Sequence, residues 1–239
     1  MNAQAQKKPE ETKVAKLEGS YSERFTSMVA KEFGATVGVL ELTPYQKRLA
    51  QHLFVATDAQ LKALEAKRLH SNKGGSPIVW ANINMQKLAL DAVHRIELGL
   101  DALIPNHIHP IPYWNSKLKL YDLDLRIGYV GKDYYRRQFA LDPPKDVRYE
   151  LVDETDTFEV IKKCVDQDVE AYRFVVANPF DRGEIVGGFA YIVYDDASKN
   201  VLVTVSKADF DKSKTLAKSD KFWKPYEREM QKKTLVLRA

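Results

Sequence analysis

A chain of 239 residues, 44% hydrophobic and 29% charged, is long enough to bury a sizeable core and too mixed in composition for a disordered or fibrous protein. The formal net charge is only +4, so an anionic partner has to be argued from where the cations cluster and not from their total. A single cysteine, Cys164, excludes an internal disulfide and a zinc site of paired thiolates. No apolar signal segment or run of about 18 apolar residues is present, and the expectation is a soluble protein of a reducing cytoplasm.

Residues 1 to about 20 are polar and lack apolar periodicity, which predicts a flexible N-terminal arm ahead of one domain over 21–239. A first helix is predicted from Tyr21, with Phe25, Met28, Val29 and Phe33 on one face and Gly34 at its end. Thr43 and Pro44 are suited to open a second, and "TDAQLKALEAKRL" reads either as its continuation or as a third helix capped by Thr57 or Asp58. The clearest amphipathic segment is residues 84–101, where Asn84 caps, Gly99 stops, and Met85, Leu88, Ala89, Ala92, Val93 and Ile96 share a face. A hairpin with a polar turn near 115–117 should follow, then a helix over "LRIGYVGKDYYRRQFAL". Beyond it, "VRYELVD", "AYRFVVANP" and "GGFAYIVYDDASKNVLVTVS" are expected to pair as an antiparallel sheet, before two final helical stretches. The predicted class is α+β, with an antiparallel sheet and a β-hairpin flanked by helices.

Two basic clusters stand out. In the closing segment Lys221, Lys224, Arg228 and Lys232 recur every three or four residues, beside an apolar line of Trp223, Tyr226, Met230, Thr234 and Leu237, with Lys233 and Arg238 adding charge. If that segment is one helix, it buries the apolar line, with Trp223 as packing anchor, and offers a row of cations to a polyanion. A solvated face on an ordinary core helix explains the same spacing. The second cluster places Lys117, Lys119, Arg126, Lys132, Arg136 and Arg137 among Tyr113, Trp114, Tyr121, Tyr129, Tyr134 and Tyr135. Aromatic faces interleaved with cations suit single-stranded nucleic acid without sequence readout, although any one of these tyrosines can equally be a packing residue. Lys207, Lys212, Lys214 and Lys218 extend the charge towards the tail.

Enzyme signals are weak. Neither "GYVGKD" nor "NKGGSP" has the spacing of a nucleotide-phosphate loop. His107 and His109 alternate as metal ligands on one strand face would, but no third ligand lies near them in sequence. Asp122 with Asp124, or Asp195 with Asp196, are the carboxylate pairs a magnesium-dependent nuclease would use, and equally ordinary turn residues. A metal-dependent nuclease and a structural RNA-binding protein stay open as alternatives.

The stretches "LALDAVHRIELGLDALIPNHIHPIPY", "KLYDLDLRIGYVGKDYYRR" and "FWKPYEREMQKKTLVLRA" resemble the RecT family of phage and prophage proteins, similar to those of Gram-positive prophages. The most specific motif is a tryptophan followed by M-x-x-K-T and a basic residue: Trp223, Met230, Lys233, Thr234 and Arg238. The resemblance implies ATP-independent annealing of complementary single strands of DNA in recombination, without catalysis or a cofactor. It also implies homo-oligomeric rings or helical filaments in the bacterial host cytoplasm, acting beside a phage exonuclease. The resemblance further implies a C-terminal segment in relatives that contacts the host single-strand binding protein, and the expectation is that this chain is short of one. Within that expectation a basic groove binds DNA through Lys117, Lys119, Arg126, Tyr129, Lys132, Arg136, Arg137, Lys207, Lys214, Lys221, Lys224, Arg228, Lys232, Lys233 and Arg238.

Overall fold

The computed structural model describes residues 19–36, 38, 41–71, 74–217 and 221–239. The expected N-terminal arm thus lies almost wholly outside the described residues, as does Lys218. Ser20 opens helix α1 (Tyr21–Thr36): the Ser20 amide donates to Glu23 Oε2 at 2.7 Å and the Glu23 amide donates to Ser20 Oγ at 3.3 Å. Phe25, Val29 and Phe33 are buried, and the helix runs past Gly34 to Thr36. Helix α2 (Pro44–His70) starts with the same device at Thr43 and Gln46. It does not break near Thr57, because neither candidate cap is available: Thr57 is buried on the core face, and Asp58 accepts the Trp80 indole N–H at 2.9 Å. Helix α3 (Met85–Glu97), capped by Asn84, buries the six apolar residues its periodicity selects. It packs against α1, α2 and the antiparallel hairpin of β1 (Ile108–Asn115) and β2 (Leu120–Ile127) around the larger core.

Helix α4 (Tyr129–Phe139) begins four residues later than Leu125, because Leu125 pairs with Pro110 in the hairpin and is fully buried there. Its first turn lies almost on the backbone of 106–107. The Gly128 amide donates to His107 O at 3.0 Å and the Gly131 amide to Asn106 O at 3.1 Å. A Cβ on Gly128 would stand 2.1 Å from Asn106 O, and one on Gly131 2.6 Å from His107 O. The glycines of "GYVGKD" are therefore a packing device, not a phosphate loop. His107 is 5% exposed, and its Nδ1 accepts the Asp101 amide at 3.3 Å, so the ring is held neutral with its pKa lowered, first by burial and against the pull of Asp101.

After α4 the chain builds a second layer: β3 (Asp146–Asp153), β4 (Thr157–Ile161), β5 (Ala171–Val175), β6 (Ile185–Val193), β7 (Val201–Ser206), α5 (Lys207–Thr215) and α6 (Glu227–Arg238). The expected single sheet is two pieces. Strands β3, β6 and β7 form an antiparallel sheet in the order β3–β6–β7, whereas β5 pairs with β4. The run "TFEVI" that forms β4 follows a turn at 153–156, where the Asp156 amide donates to Asp153 O at 3.1 Å, and is not among the predicted strands. One face of the sheet packs Leu151, Ala190 and Val205 against Phe210 of α5 and Leu235 of α6. The other packs Val152, Phe189 and Leu202 against Phe158, Tyr172 and Phe174 of β4 and β5. The result is an α+β fold of six α-helices with small antiparallel sheets and hairpins among the described residues. No helix among them is long and apolar enough to cross a membrane.

Two measurements check this packing. Gly128→Ala should lower the denaturant midpoint by about 1–3 kcal/mol of stability, the usual cost of overpacking, and an unchanged midpoint would show that the 106–107 loop yields freely. Because the folded chain disfavours protonated His107, the unfolded chain takes up the proton more readily as pH falls through the ordinary value of about 6.5. The stability this group contributes is present above that pH and lost below it. The fall in midpoint between about pH 6.5 and 5 should be shallower in His107→Gln.

Candidate nucleic-acid interface

Residues opposite each other in the hairpin share a face, and the register sets His109 against Arg126, Ile111 against Asp124 and Tyr113 against Asp122 on the face turned away from the core. Arg126 is fixed there: its Nη2 donates to Asp124 Oδ2 at 2.8 Å and to the Tyr113 hydroxyl at 3.0 Å. This face forms one wall of a cleft of about 940 Å³. The start of α4 contributes Tyr129 and Lys132, α3 contributes Arg95, and the opposite wall is α6 with Met230, Lys233 and Leu237, joined by Phe222. Four cations, Arg95, Arg126, Lys132 and Lys233, face two carboxylates, Asp124 and Glu229, so the lining is positive. The His109 imidazole is held below its ordinary range, first because the cleft walls displace water from it and then because Lys233 and Arg126 repel a further positive charge.

The cleft brings together Arg126, Tyr129, Lys132 and Lys233 from the two predicted basic clusters. The remaining residues lie elsewhere. Helix α6 begins at Glu227, so Lys221, Trp223 and Lys224 sit in the turn before it and share no helical row with Arg228 and Lys232. The buried residues of α6 are Gln231, Thr234, Leu235 and Val236, of which only Thr234 belongs to the predicted line. Trp223 is 3% exposed, Met230 and Leu237 turn to the cleft, and Tyr226 is exposed. Arg228 grips Asp153 with two hydrogen bonds of 2.8 and 2.9 Å. Asp153 is fully buried and also meets Arg182 at 2.8 Å, while Arg182 pairs with Asp156 as well.

Four further predicted contacts are engaged inside the protein. Arg136 donates to the Val236 and Leu237 carbonyls at 3.4 and 3.5 Å, at the C-terminal end of α6 where orphan carbonyls attract a cation. Arg137 pairs with Asp133 at 2.9 Å, Arg238 with Asp209 at 2.7 Å and Lys214 with Glu227 at 2.8 Å. Lys117 and Lys119 are exposed at the hairpin turn beside exposed Tyr113 and Trp114. Lys232 is exposed and lines a smaller hollow of about 220 Å³ with Glu150 and Arg228. Lys207 is exposed at a third, of about 380 Å³, whose acids Glu184, Asp211 and Glu227 offset its cations.

Arg95 and Phe222 escaped the sequence reading. Arg95 falls on a helix whose pattern spoke only of core, and its Nε donates to Leu125 O at 2.9 Å, which holds it at the hairpin. The acids of the nuclease alternative are engaged in other ways. Asp122 accepts the Asn115 and Asn84 amides at 2.9 and 2.8 Å, which holds its carboxyl below the ordinary range. Asp124 pairs with Arg126, Asp195 with Lys145 and Asp196 with the Ser198 amide. Among the described residues no group of three His, Cys, Asp or Glu side chains is placed to hold a metal ion.

The sequence profile of the RecT family matches residues 84–239, well over half of the chain and all of the elements that line the cleft. No individual curated protein matches. The chain belongs to the RecT family, the single-strand DNA annealing proteins of recombination, which are non-catalytic and of phage origin.

The ion pairs around α6 give a test independent of DNA. Asp153→Ala leaves the half-exposed Arg228 without its carboxylate and Arg182 with Asp156 alone, and should cost about 1.5–3 kcal/mol in a denaturant melt, the range for hydrogen bonds to a charged group. Lys233→Ala should leave the melt within about 0.5 kcal/mol of the parent.

Proposed function

For this RecT-family protein we propose that the cleft between the hairpin and α6 is the path of one DNA strand. The observation that carries this reading is that Arg126 and Lys132, from the middle of the sequence, line the same cleft as Lys233 from its tail. Annealing two polyanions has no covalent step. The obstacles are phosphate repulsion and the disorder of two flexible strands. Cations along a groove neutralise the first strand, and an extended, fixed backbone lets a second strand sample registers until base pairing and stacking supply the free energy. Contacts to phosphate alone carry no sequence information, so the choice of partner is left to Watson–Crick pairing.

In this reading Arg95, Arg126, Lys132 and Lys233 contact phosphate inside the cleft, with Tyr129 beside them. Lys117 and Lys119 at the hairpin tip, and Lys207, Lys221, Lys224 and Lys232 around α6, extend the basic path beyond it. Arg136, Arg137, Lys214, Arg228 and Arg238 drop out of the phosphate set, because each has a partner within the chain: Arg137 is held by Asp133 and the Val147 carbonyl, and lending the other four to DNA would loosen α6. Residues 21–239 act as one annealing unit. Copies assemble head to tail into rings or filaments, since one strand is longer than one cleft and a head-to-tail contact propagates the groove. A phage exonuclease that supplies single strands and the host single-strand binding protein are the expected partners, in the cytoplasm of a bacterial, Gram-positive host.

Titrating a labelled single strand at several salt concentrations tests the path. Each of Lys132→Ala and Lys233→Ala should weaken binding of unrelated sequences alike and reduce the slope of log K against log salt by about 0.7, the value for one phosphate contact on a single strand. Lys62→Ala, on α2 and paired with Asp58, should leave the slope as it is. Unchanged slopes for both cleft lysines would remove the strand from this cleft.

A further inference from the structure

The lining of the cleft has two chemistries. Cations occupy part of it, but Tyr129, Phe222 and Met230 give it a broad apolar surface that phosphate contacts cannot use. Phe222 is the most unusual of these. The turn over residues 221–225 buries Trp223 to 3% exposure, and the neighbouring Phe222 is turned the other way and left 58% exposed at the cleft. The turn is closed by the Tyr226 amide, which donates to Phe222 O at 3.1 Å, and is anchored by the buried indole, so the phenyl ring is carried on a fixed backbone. Among the described residues no aromatic ring pairs with it. A singly exposed ring is ordinary, and Phe139 and Phe180 are more exposed still; what distinguishes Phe222 is its place in a cleft beside Lys233, which is matched by a ligand that carries a flat π face next to an anion.

We infer that Phe222 is a stacking platform for one unpaired base of the bound strand, with the flanking phosphates on Lys132 and Lys233. The inference rests on the reading of the cleft as the strand path and assigns a second, uncharged half to it. Stacking uses the face of a base and leaves its Watson–Crick edge free, so the protein orders the strand without competing for the groups that the complementary strand must read. Every base has such a face, and the contact therefore adds affinity without sequence preference. A base pair inside a duplex is already stacked on both sides, so the platform favours the single strand and releases it once pairing is complete.

The experiment compares two probes of equal length, a labelled oligothymidine and an abasic deoxyribose-phosphate strand, with the full chain and its variants. Phe222→Leu keeps apolar bulk but removes the π face. It should weaken oligothymidine binding about 5- to 150-fold, the range of base–aromatic stacking losses, while abasic binding stays within twofold and the salt slope is unchanged. Phe222→Trp should retain both affinities. Equal weakening of both probes would show that Phe222 only supports the turn, and unchanged binding of both would show that no base rests on it. Either result overturns the inference. Lys233→Ala, measured on both probes, separates this from the underlying reading. If it flattens the salt slope on both while Phe222→Leu is silent, the cleft still carries the strand and only the platform falls. If Lys233→Ala is silent as well, the path itself is elsewhere.

Discussion

A buried carboxylate is tolerated only when its charge is met, and Asp153 is met from two directions, by Arg182 and by Arg228. Arg228 belongs to the first turn of α6, so this pairing fixes both the position and the rotation of that helix against the end of β3. Arg136 meets the carbonyls at the other end of α6, and Arg238 ties the same end to α5 through Asp209. With its ends held and Leu235 sunk into the sheet, α6 has one rotation available, the one that turns Met230, Lys233 and Leu237 to the cleft. The wall of the site is thus set by interactions that never touch the cleft.

The other wall depends on backbone contact. The start of α4 rests on residues 106–107 at a distance that only glycine permits, and this ties Tyr129 and Lys132 to the end of the hairpin. Asp124 and the Tyr113 hydroxyl hold the Arg126 guanidinium in place, so its geometry is present before any ligand arrives. Such pre-organisation lowers the ordering cost of binding a flexible polyanion.

Much of the fold was legible from local patterns. The core face of α3, the cap of α2, the hairpin and the pairing of β6 with β7 all follow from spacing and turn chemistry within a few residues. The misreadings have physical causes of one kind. Thr57 and Asp58 look like a helix cap but are claimed by the core and by Trp80, and Leu125 looks helical but is the partner of Pro110 in a strand. In the tail, the regular spacing of Lys221, Lys224, Arg228 and Lys232 suggested one cationic row. Helix α6 starts too late for the first two to join it, and Asp153 takes the third. Arg95 carried no signal, because a cation on the polar edge of an amphipathic helix is ordinary.

By itself the sequence determined the α+β class, the elements with clear period, the two concentrations of positive charge and the family, since each of these depends on residues close together in the chain or on a motif read in order. Which cations find partners within the fold and which line the cleft was decided only by tertiary structure. Arg228 finds its carboxylate 75 residues away, Arg136 its carbonyls 100 and 101 residues away, and Arg238 its aspartate 29 residues away. A guanidinium is identical in either role, and only the fold brings its partner within hydrogen-bonding distance.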